Sequence, residues 1–463
     1  MRKAPLFSIF AVLLCGCASE LMELAQTANQ DYDRGVAAMR DDSKLEEAVE
    51  WFDRAIRQDP DFAAAYQRRG EANALLGKLD RAEEDFQQAA RMNPNDARAA
   101  IGLAAVAMRQ EKYDRAAERF SAAIELEPDS AKLHESRGLA YLHLNQFDQA
   151  LRDFDQAISL EPDRPSHYEA RGRARLGRNN RPGAIEDFST ALRRDPDMAK
   201  AYQGRADAYS VGEQYGDAIR DLNQVVRLDP RNARAFHQRG VARQKLGLLS
   251  GSLEDFSDAL RLDPQHAATY RSRGMVHARQ GLFDRAVQDF TQAMRMDSQD
   301  DDSLFQRGKA RLQLDQLDLA LEDFSELIQR SPSRADAYQY RAFAHLSKRN
   351  YEQSIADATV TIQINPQSGL AYYCRAASGL MLREADQQIL NDCDKAVELD
   401  PNRALAYLTR AWAHAQLGQT DQTMRDARKA QQLDPRTEDG VRRITELFLP
   451  DRPAGPSAPP LLR

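Results

Sequence analysis

The sequence predicts an all-α fold, an α-solenoid of about twelve helix–turn–helix units that is closed by one further helix. Two observations support this fold class: a proline that recurs every 34 residues, and aromatic and small residues at helical spacing between these prolines. Ser298 fills one proline position, and one extra residue precedes Pro401. The recurring prolines are Pro60, Pro94, Pro128, Pro162, Pro196, Pro230, Pro264, Pro332, Pro366, Pro401 and Pro435. Units of this kind bury their apolar faces mainly against their neighbours.

Spacing within each unit indicates two helices. Positions are counted from 31 residues before the proline, so that the units begin at residues 29, 63, 97, 131, 165, 199, 233, 267, 301, 335, 369 and 404. Position 4 is usually aromatic, position 8 is small in all but the first unit, and position 24 is Phe in eight units. Positions 4, 8 and 11 share one helical face, and positions 20, 24 and 27 share another. A break such as Leu76 to Leu79 separates the two helices, and the proline ends the second one.

The agreement of small, aromatic and proline positions over residues 29–437 resembles the tetratricopeptide repeat family. The resemblance implies antiparallel helix pairs stacked into a right-handed superhelix, with the first helices lining a concave groove for partner proteins or peptides. The sequence departs from the family at position 11, where the favoured tyrosine occurs only as Tyr141 and Tyr209.

Arg at position 7 and Asp at position 23 occur in the same ten units and are both missing from the other two. This co-occurrence predicts an ion pair between the two helices of one unit, although charges repeated by duplication and exposed to solvent are the alternative. Representative pairs are Arg69 with Asp85, Arg239 with Asp255, and Arg307 with Asp323.

The N-terminal residues predict export. Arg2 and Lys3 precede an apolar run from Leu6 to Leu14, which is too short for a transmembrane helix. The sequence Leu14-Cys15-Gly16-Cys17 resembles a bacterial lipobox, which implies removal of residues 1–16 and acylation of Cys17. Residues 17–28 would then form a short tether. Ala18 after the cysteine resembles outer-membrane sorting, and an ordinary cleaved signal with an incidental cysteine is the alternative.

The C-terminal residues predict a capping helix over residues 438–448 and a Pro-rich disordered tail over residues 449–463. Cys374 and Cys393 lie in one unit, and in an exported protein they form either a disulfide or two buried thiols.

Composition and motifs argue against several classes of function. The net charge of −7 argues against a nucleic-acid partner. We find no nucleotide-binding loop, zinc spacing or nucleophile elbow, so we expect no catalytic residues, no metal, no cofactor and no small-molecule substrate. His277, His345 and His414 lie two units apart, too far from one another to share a metal ion.

In the family, positions 2, 5, 9 and 12 face the groove, and these positions predict a partner site with two characters. The charged residues are Arg173, Lys200, Arg234, His237, Arg271 and Lys309. The apolar and aromatic residues are Phe305, Phe343, Leu370, Tyr373, Leu408 and Trp412. The apolar set is interpreted either as a contact surface or as a surface that the end helix covers.

The chain is therefore predicted to be a lipid-anchored scaffold or adaptor rather than an enzyme. It would bind partner proteins or peptides non-covalently in a bacterial envelope assembly, held by Cys17 to a membrane, which the sorting resemblance makes the periplasmic face of the outer membrane. A soluble adaptor or co-chaperone without a lipid anchor, or a non-catalytic subunit of an enzyme complex, are the alternatives.

Overall fold

The computed structural model describes residues 26–382 and 385–448, and within these ranges the chain is all-α, as the sequence predicts. The first helices of the repeats are α1 (residues 26–38), α3 (Ala63–Leu75), α5 (Ala97–Arg109), α7 (Ala131–His143), α9 (Pro165–Gly177), α11 (Ala199–Val211), α13 (Ala233–Lys245), α15 (Ala267–Arg279), α17 (Asp301–Gln313), α19 (Ala335–Ser347), α21 (Gly369–Leu382) and α23 (Ala404–Gln416).

The second helices follow after short turns. They are α2 (Leu45–Gln58), α4 (Leu79–Met92), α6 (Tyr113–Leu126), α8 (Phe147–Leu160), α10 (Arg181–Arg194), α12 (Tyr215–Leu228), α14 (Leu249–Leu262), α16 (Phe283–Met296), α18 (Leu317–Arg330), α20 (Tyr351–Ile364), α22 (Gln387–Leu399) and α24 (Thr420–Leu433). A last helix, α25, spans Glu438–Phe448, the residues that the sequence assigns to the capping helix.

The chain divides into two compact halves: an N-terminal half up to Pro230 and a C-terminal half from Arg231. Within each half, the first helix of a repeat packs against its own second helix, and that second helix packs against the first helix of the next repeat. These helices have 13 or 14 residues, a length that is marginally stable in isolation, so packing between neighbours supplies their stability.

Much of the core is a row of Phe rings at position 24, most of which lie against a small residue at position 8. Phe154 is fully buried, and a methyl group on Gly138 would lie 2.7 Å from its ring. Repeat 6 has the combination of Ala206 with the smaller Leu222. The size of one residue therefore compensates for the size of the other.

The two ends of the chain are described in part. Residues 26–28, which the sequence assigns to the tether, are already helical in α1. The predicted signal segment, Cys17 and the predicted tail over residues 449–463 lie outside the described residues. None of the described helices combines the length and apolar character needed to cross a lipid bilayer.

Candidate functional site

The Arg residues at position 7 and the Asp residues at position 23 lie at hydrogen-bond distance inside their own repeats. In each of the ten pairs among the described residues, a guanidinium nitrogen lies 2.5–2.7 Å from a carboxylate oxygen. The three representative pairs, Arg69–Asp85, Arg239–Asp255 and Arg307–Asp323, share this geometry. The Asp residues are buried, so these guanidinium groups neutralise carboxylates that would be costly to leave unpaired.

Most of these Arg residues also contact the preceding repeat, a feature that the sequence pattern did not predict. Arg205 donates to Asp221 in its own repeat and, through Nη1, to the Ser189 hydroxyl at position 25 of the preceding repeat, at 2.9 Å. Arg341 reaches Ser325 in the same way, at 3.1 Å. One guanidinium group therefore joins three helices, and this network is a structural element of the solenoid.

Position 11, where the family favours tyrosine, supplies further partners for the same Asp residues. Arg311 lies 2.7 Å from Asp323, and His277 lies 3.0 Å from Asp289. Burial lowers the pKa of His277 against the opposing effect of Asp289. The position 11 histidines therefore support the ion-pair network.

We call positions 2, 5, 9 and 12 of the first helices the first-helix face. Position 5 of this face is tied to the start of the next repeat. Arg271 donates to Asp300 at 2.8 Å, and His237 contacts Thr269 at 2.8 Å. Burial opposes ionisation of Asp300, but hydrogen bonds from Ser303 and Arg271 outweigh it and lower the pKa of Asp300. Arg271 and His237, both predicted to contact a partner, are therefore used between repeats.

The predicted apolar contact surface needs a correction, because five of its six side chains are buried. Trp412 is only 6% exposed and Leu408 3%. The remaining buried residues are Phe305, Leu370 and Tyr373. Phe343 is half-buried.

The cause of this burial in the last repeat is α25, which packs against α23 and α24. Gly440 of α25 lies so close to Leu408 that a methyl group there would meet Leu408 Cδ2 at 2.7 Å. Ile444, also in α25, is fully buried in the cluster that contains Leu408 and Trp412. In repeat 9, the Phe305 ring lies beneath Lys309 and Arg334. These side chains form core rather than a partner surface.

Most of the remaining predicted cations of the first-helix face are exposed. Arg173 and Lys200 are exposed in the N-terminal half, as is Lys132 at the equivalent of the Lys200 position two repeats earlier. In the C-terminal half Arg234 is exposed, whereas Lys309 is half-buried over the rings of Phe305 and Tyr340.

Two carboxylates on the same face of the N-terminal half are largely buried, unlike the exposed cations. The side chains of Glu135 and Glu169 are 13% and 10% exposed. Burial raises the pKa of Glu169, although Arg173 and Lys200 oppose the shift. Arg173 Nε lies 3.9 Å from a Glu169 oxygen.

An apolar cleft of about 430 Å³ lies in the N-terminal half between α3 and α5. Its lining includes Leu75, Phe86, Ile101, Gly102, Ala105 and Val106. Phe86 fills the space in front of Gly102 so closely that a methyl group there would meet its ring at 2.5 Å. Arg98 and Arg109 lie at the edge of the cleft, together with Glu71.

The sequence contained a signal for this cleft. Helix α5 carries Ile101 and Ala105 at positions 5 and 9, where the repeats that follow have charged or larger side chains such as Glu135 and Arg173. The short Ala105 side chain, in place of a long one, leaves the space open beside Ile101. The predicted groove residues lie in repeats 5 to 12, so the cleft between repeats 2 and 3 is not among them.

Within the described residues, no group of three or more His, Cys, Asp or Glu side chains is placed to hold a metal ion. Cys374 and Cys393 are buried free thiols, and burial raises the pKa of both. Of the two alternatives for this pair, the structure has the buried thiols.

The sequence of this chain matches models of a known repeat family. Models described as tetratricopeptide repeat or TPR repeat match residues 38–77, 63–96, 103–171, 169–233, 237–301 and 305–369, together more than half of the chain. The chain belongs to the tetratricopeptide repeat family. Tetratricopeptide repeats bind protein or peptide partners and are generally non-catalytic scaffolds. No curated protein matches the chain in sequence.

Solved structures of other tetratricopeptide repeat proteins are similar to this chain. A tetratricopeptide repeat protein from Parabacteroides merdae is 21% identical, over 52% of this chain and 95% of its own, with a TM-score of 0.43. MamA from Desulfovibrio magneticus is 25% identical, over 37% of this chain and 97% of its own, with a TM-score of 0.35. YrrB, described as having an unusual peptide-binding site, is 22% identical over 41% of this chain and 97% of its own, with a TM-score of 0.37.

Proposed function

We propose that this tetratricopeptide repeat protein is a membrane-tethered scaffold that holds segments of partner proteins on its first-helix face, in a bacterial envelope assembly. The observation that supports binding is the apolar cleft between α3 and α5, which exposes apolar side chains beside charged ones on the face that the family uses for partners. The scaffold would act by raising the local concentration of its partner near the membrane.

The tether is proposed from the residues before α1. The sequence Leu14-Cys15-Gly16-Cys17 after a short apolar run supports acylation of Cys17. Two or more acyl chains give stable anchoring, whereas a single chain binds a membrane reversibly. With α1 beginning by residue 26, the first repeat would lie close to the lipid surface.

Metabolic labelling with palmitate tests the tether. We expect the wild-type chain to incorporate label and to sediment with membranes, and the Cys17→Ala variant to do neither. Cys15→Ala is the matched control, because Cys15 lies on the other side of the proposed cleavage point and should not affect labelling. Equal labelling of Cys17→Ala and wild type, or a wild-type chain recovered in the soluble fraction, would contradict the tether and favour a soluble adaptor.

Site-specific photo-crosslinking in cells tests partner binding. A photoreactive residue at Ala105, which is exposed in the cleft, should give discrete adducts with other proteins. The matched control is Ala122, an exposed alanine on α6 of the same repeat that does not line the cleft. Adducts from both positions alike, or from neither, would reject the cleft as a partner site.

A further inference from the structure

The cleft is suited to one large apolar side chain. Its volume of about 430 Å³ lies within the range of roughly 300–1,000 Å³ that is usual for ligand pockets. Ile101, Val106 and the Phe86 ring supply apolar walls, and Ala105 at the opening is exposed. An apolar anchor that enters such a pocket supplies much of the binding energy of an interface.

Exposed cations lie on the first-helix face in the three repeats after the cleft. Lys132, Arg173 and Lys200 belong to repeats 4, 5 and 6, the next three after the repeat that contains α5, and all three side chains are exposed. Three carboxylates share this face: Glu135 and Glu169 are largely buried and Asp207 is half-buried, so the cations are the more exposed charges. At the edge of the cleft, Arg98 is paired with Asp96 at 2.7 Å, and Arg109 and Glu71 both line the opening.

The spacing of these cations suits an extended segment. Packed helices lie roughly 8–10 Å apart, and an extended chain rises about 3.3 Å per residue. One repeat therefore corresponds to about three residues of a bound segment. Lys132 and Lys200 lie at position 2 and Arg173 at position 9, about 10 Å further along its helix. A segment that crosses the helices obliquely, with carboxylates about every three or four residues, can place one near each cation.

We propose that the N-terminal half binds an acidic, extended segment of a partner protein, whose one large apolar side chain enters the cleft while its carboxylates face Lys132, Arg173 and Lys200. This inference rests on the proposed function and specifies the chemistry of the partner. Charge complementarity favours this occupant, because the most exposed charges of the first-helix face in repeats 4 to 6 are the cations Lys132, Arg173 and Lys200, although the whole chain carries a net charge of −7.

Fluorescence anisotropy with designed peptides and the full chain tests this chemistry. The probe is a fluorescein-labelled peptide of about 12 residues with one Leu followed by Glu at every third position. We expect it to bind at least about tenfold more tightly than the same peptide with Lys in place of Glu. Replacing its Leu by Ser should weaken binding about tenfold or more, and added salt should weaken the Glu peptide further.

Variants of the chain separate the two parts of the surface. Lys132→Glu combined with Lys200→Glu should weaken the Glu peptide about 3- to 30-fold and reduce its salt dependence. Ala105→Gln should weaken every peptide that carries Leu and leave the salt dependence unchanged. The matched controls are Lys112→Glu and Ala122→Gln, exposed positions of α6 and the turn before it that should bind like wild type. Circular dichroism checks that all variants keep their helix content.

The binding and crosslinking results together either support or overturn the acidic partner. Equal binding of the Glu and Lys peptides, or binding that Lys132→Glu with Lys200→Glu leaves unchanged, overturns the acidic partner. If Ala105 still gives crosslinks in cells, the proposed function stands without it, and if Ala105 gives none, both fail. A concentration-dependent dimer that Ala105→Gln abolishes, with no peptide binding, would assign the cleft to a second copy of this chain and also overturn the proposal.

Discussion

Residue size is matched between the two helices of a repeat. A glycine at position 8 faces a Phe at position 24 in the pairs Gly70–Phe86, Gly138–Phe154, Gly172–Phe188, Gly240–Phe256, Gly274–Phe290 and Gly308–Phe324. Five repeats have alanine at position 8. In four of these five, the residue at position 24 is smaller than Phe, as in Ala206 with Leu222. The exception is repeat 3, which combines Ala104 with Phe120. In the repeats with glycine, close packing makes an added methyl group beside the ring unfavourable.

This matching predicts a rescue. Gly138→Ala should lower the stability of repeat 4 by about 1–3 kcal/mol, because its methyl group would overlap the Phe154 ring. Adding Phe154→Leu, which reproduces the combination of repeat 6, should recover part of this loss. Hydrogen exchange of the α7 and α8 amides measures the local stability. A double variant that is less stable than Gly138→Ala would disprove the size matching.

The ion pair between Arg205 and Asp221 predicts an asymmetry between its single variants. Arg205→Leu leaves the buried Asp221 carboxylate without its cation and should cost about 3 kcal/mol, whereas in Asp221→Leu the guanidinium can turn toward solvent. Hydrogen bonding to Asp221 raises the pKa of Arg205, so the guanidinium stays charged. The double variant should lose less than the sum of the two, and simple additivity in hydrogen exchange of α11 and α12 would contradict the coupling.

The Arg–Asp pairs of this network can be predicted from the sequence, but the contacts to the preceding repeat cannot. Arg at position 7 and Asp at position 23 recur as the same two residues, so their co-occurrence is visible within a single chain. The second contact of most of these Arg residues is to Ser, Thr or Asp at position 25, as in Ser121, Ser325 and Asp394. Because residues of different type serve the same contact, counting identical residues does not reveal it.

At the scale of the helix, burial decides whether an apolar face is a binding surface or core. The pattern of α23 could be predicted to present Leu408 and Trp412 on one side, but their burial depends on α25. A sequence pattern identifies the face of a helix and does not identify what packs on it. By contrast, none of the described helices covers the cleft between α3 and α5.

Helix α25 is therefore expected to control the environment of Trp412. Ile444→Ala should destabilise the C-terminal end by about 2–5 kcal/mol, because it leaves a cavity in the cluster that contains Trp412. Intrinsic fluorescence should then shift to the red at lower urea concentration. The chain has two Trp residues, so a Trp51→Phe background isolates Trp412. Arg443→Ala, an exposed change in the same helix, is the control, and equal midpoints for the two would refute this role of α25.

The contact between α13 and α15 should become less stable at low pH. Thr269 contacts His237 at 2.8 Å and His266 at 2.6 Å, and burial, His266 and Arg271 lower the pKa of His237 to about 4. An unfolded His has a pKa of about 6.5, so the unfolded chain binds the extra proton between these values. The contribution of His237 to stability is complete above about pH 6.5 and is lost as the pH falls toward 4.

A comparison of urea midpoints at pH 7 and pH 5 tests this dependence. The loss on acidification should be smaller in His237→Asn, whose amide can replace the Nδ1 contact with Thr269 but does not titrate. An equally large loss in both proteins would show that His237 does not contribute.

For the whole molecule, the number and kind of repeats could be predicted because each repeat is a local pattern of about 34 residues. The division into halves at Pro230 and Arg231 could not, because the proline period continues through it without interruption. Such a division depends on the density of contacts among many residues and leaves no mark at any one position.

Because most of the position 7 guanidinium groups join three helices through equivalent positions, a whole repeat can be removed and the same kind of contact can form again. If residues 267–300 were excised, Arg307 would meet the Ser257 hydroxyl where it now meets that of Thr291, 3.3 Å away. His237 would meet Ser303 in place of Thr269, again one hydroxyl for another. A chain of this design can gain or lose a whole repeat in one genetic event while such a junction keeps its chemistry, so the length of the scaffold can evolve separately from its fold.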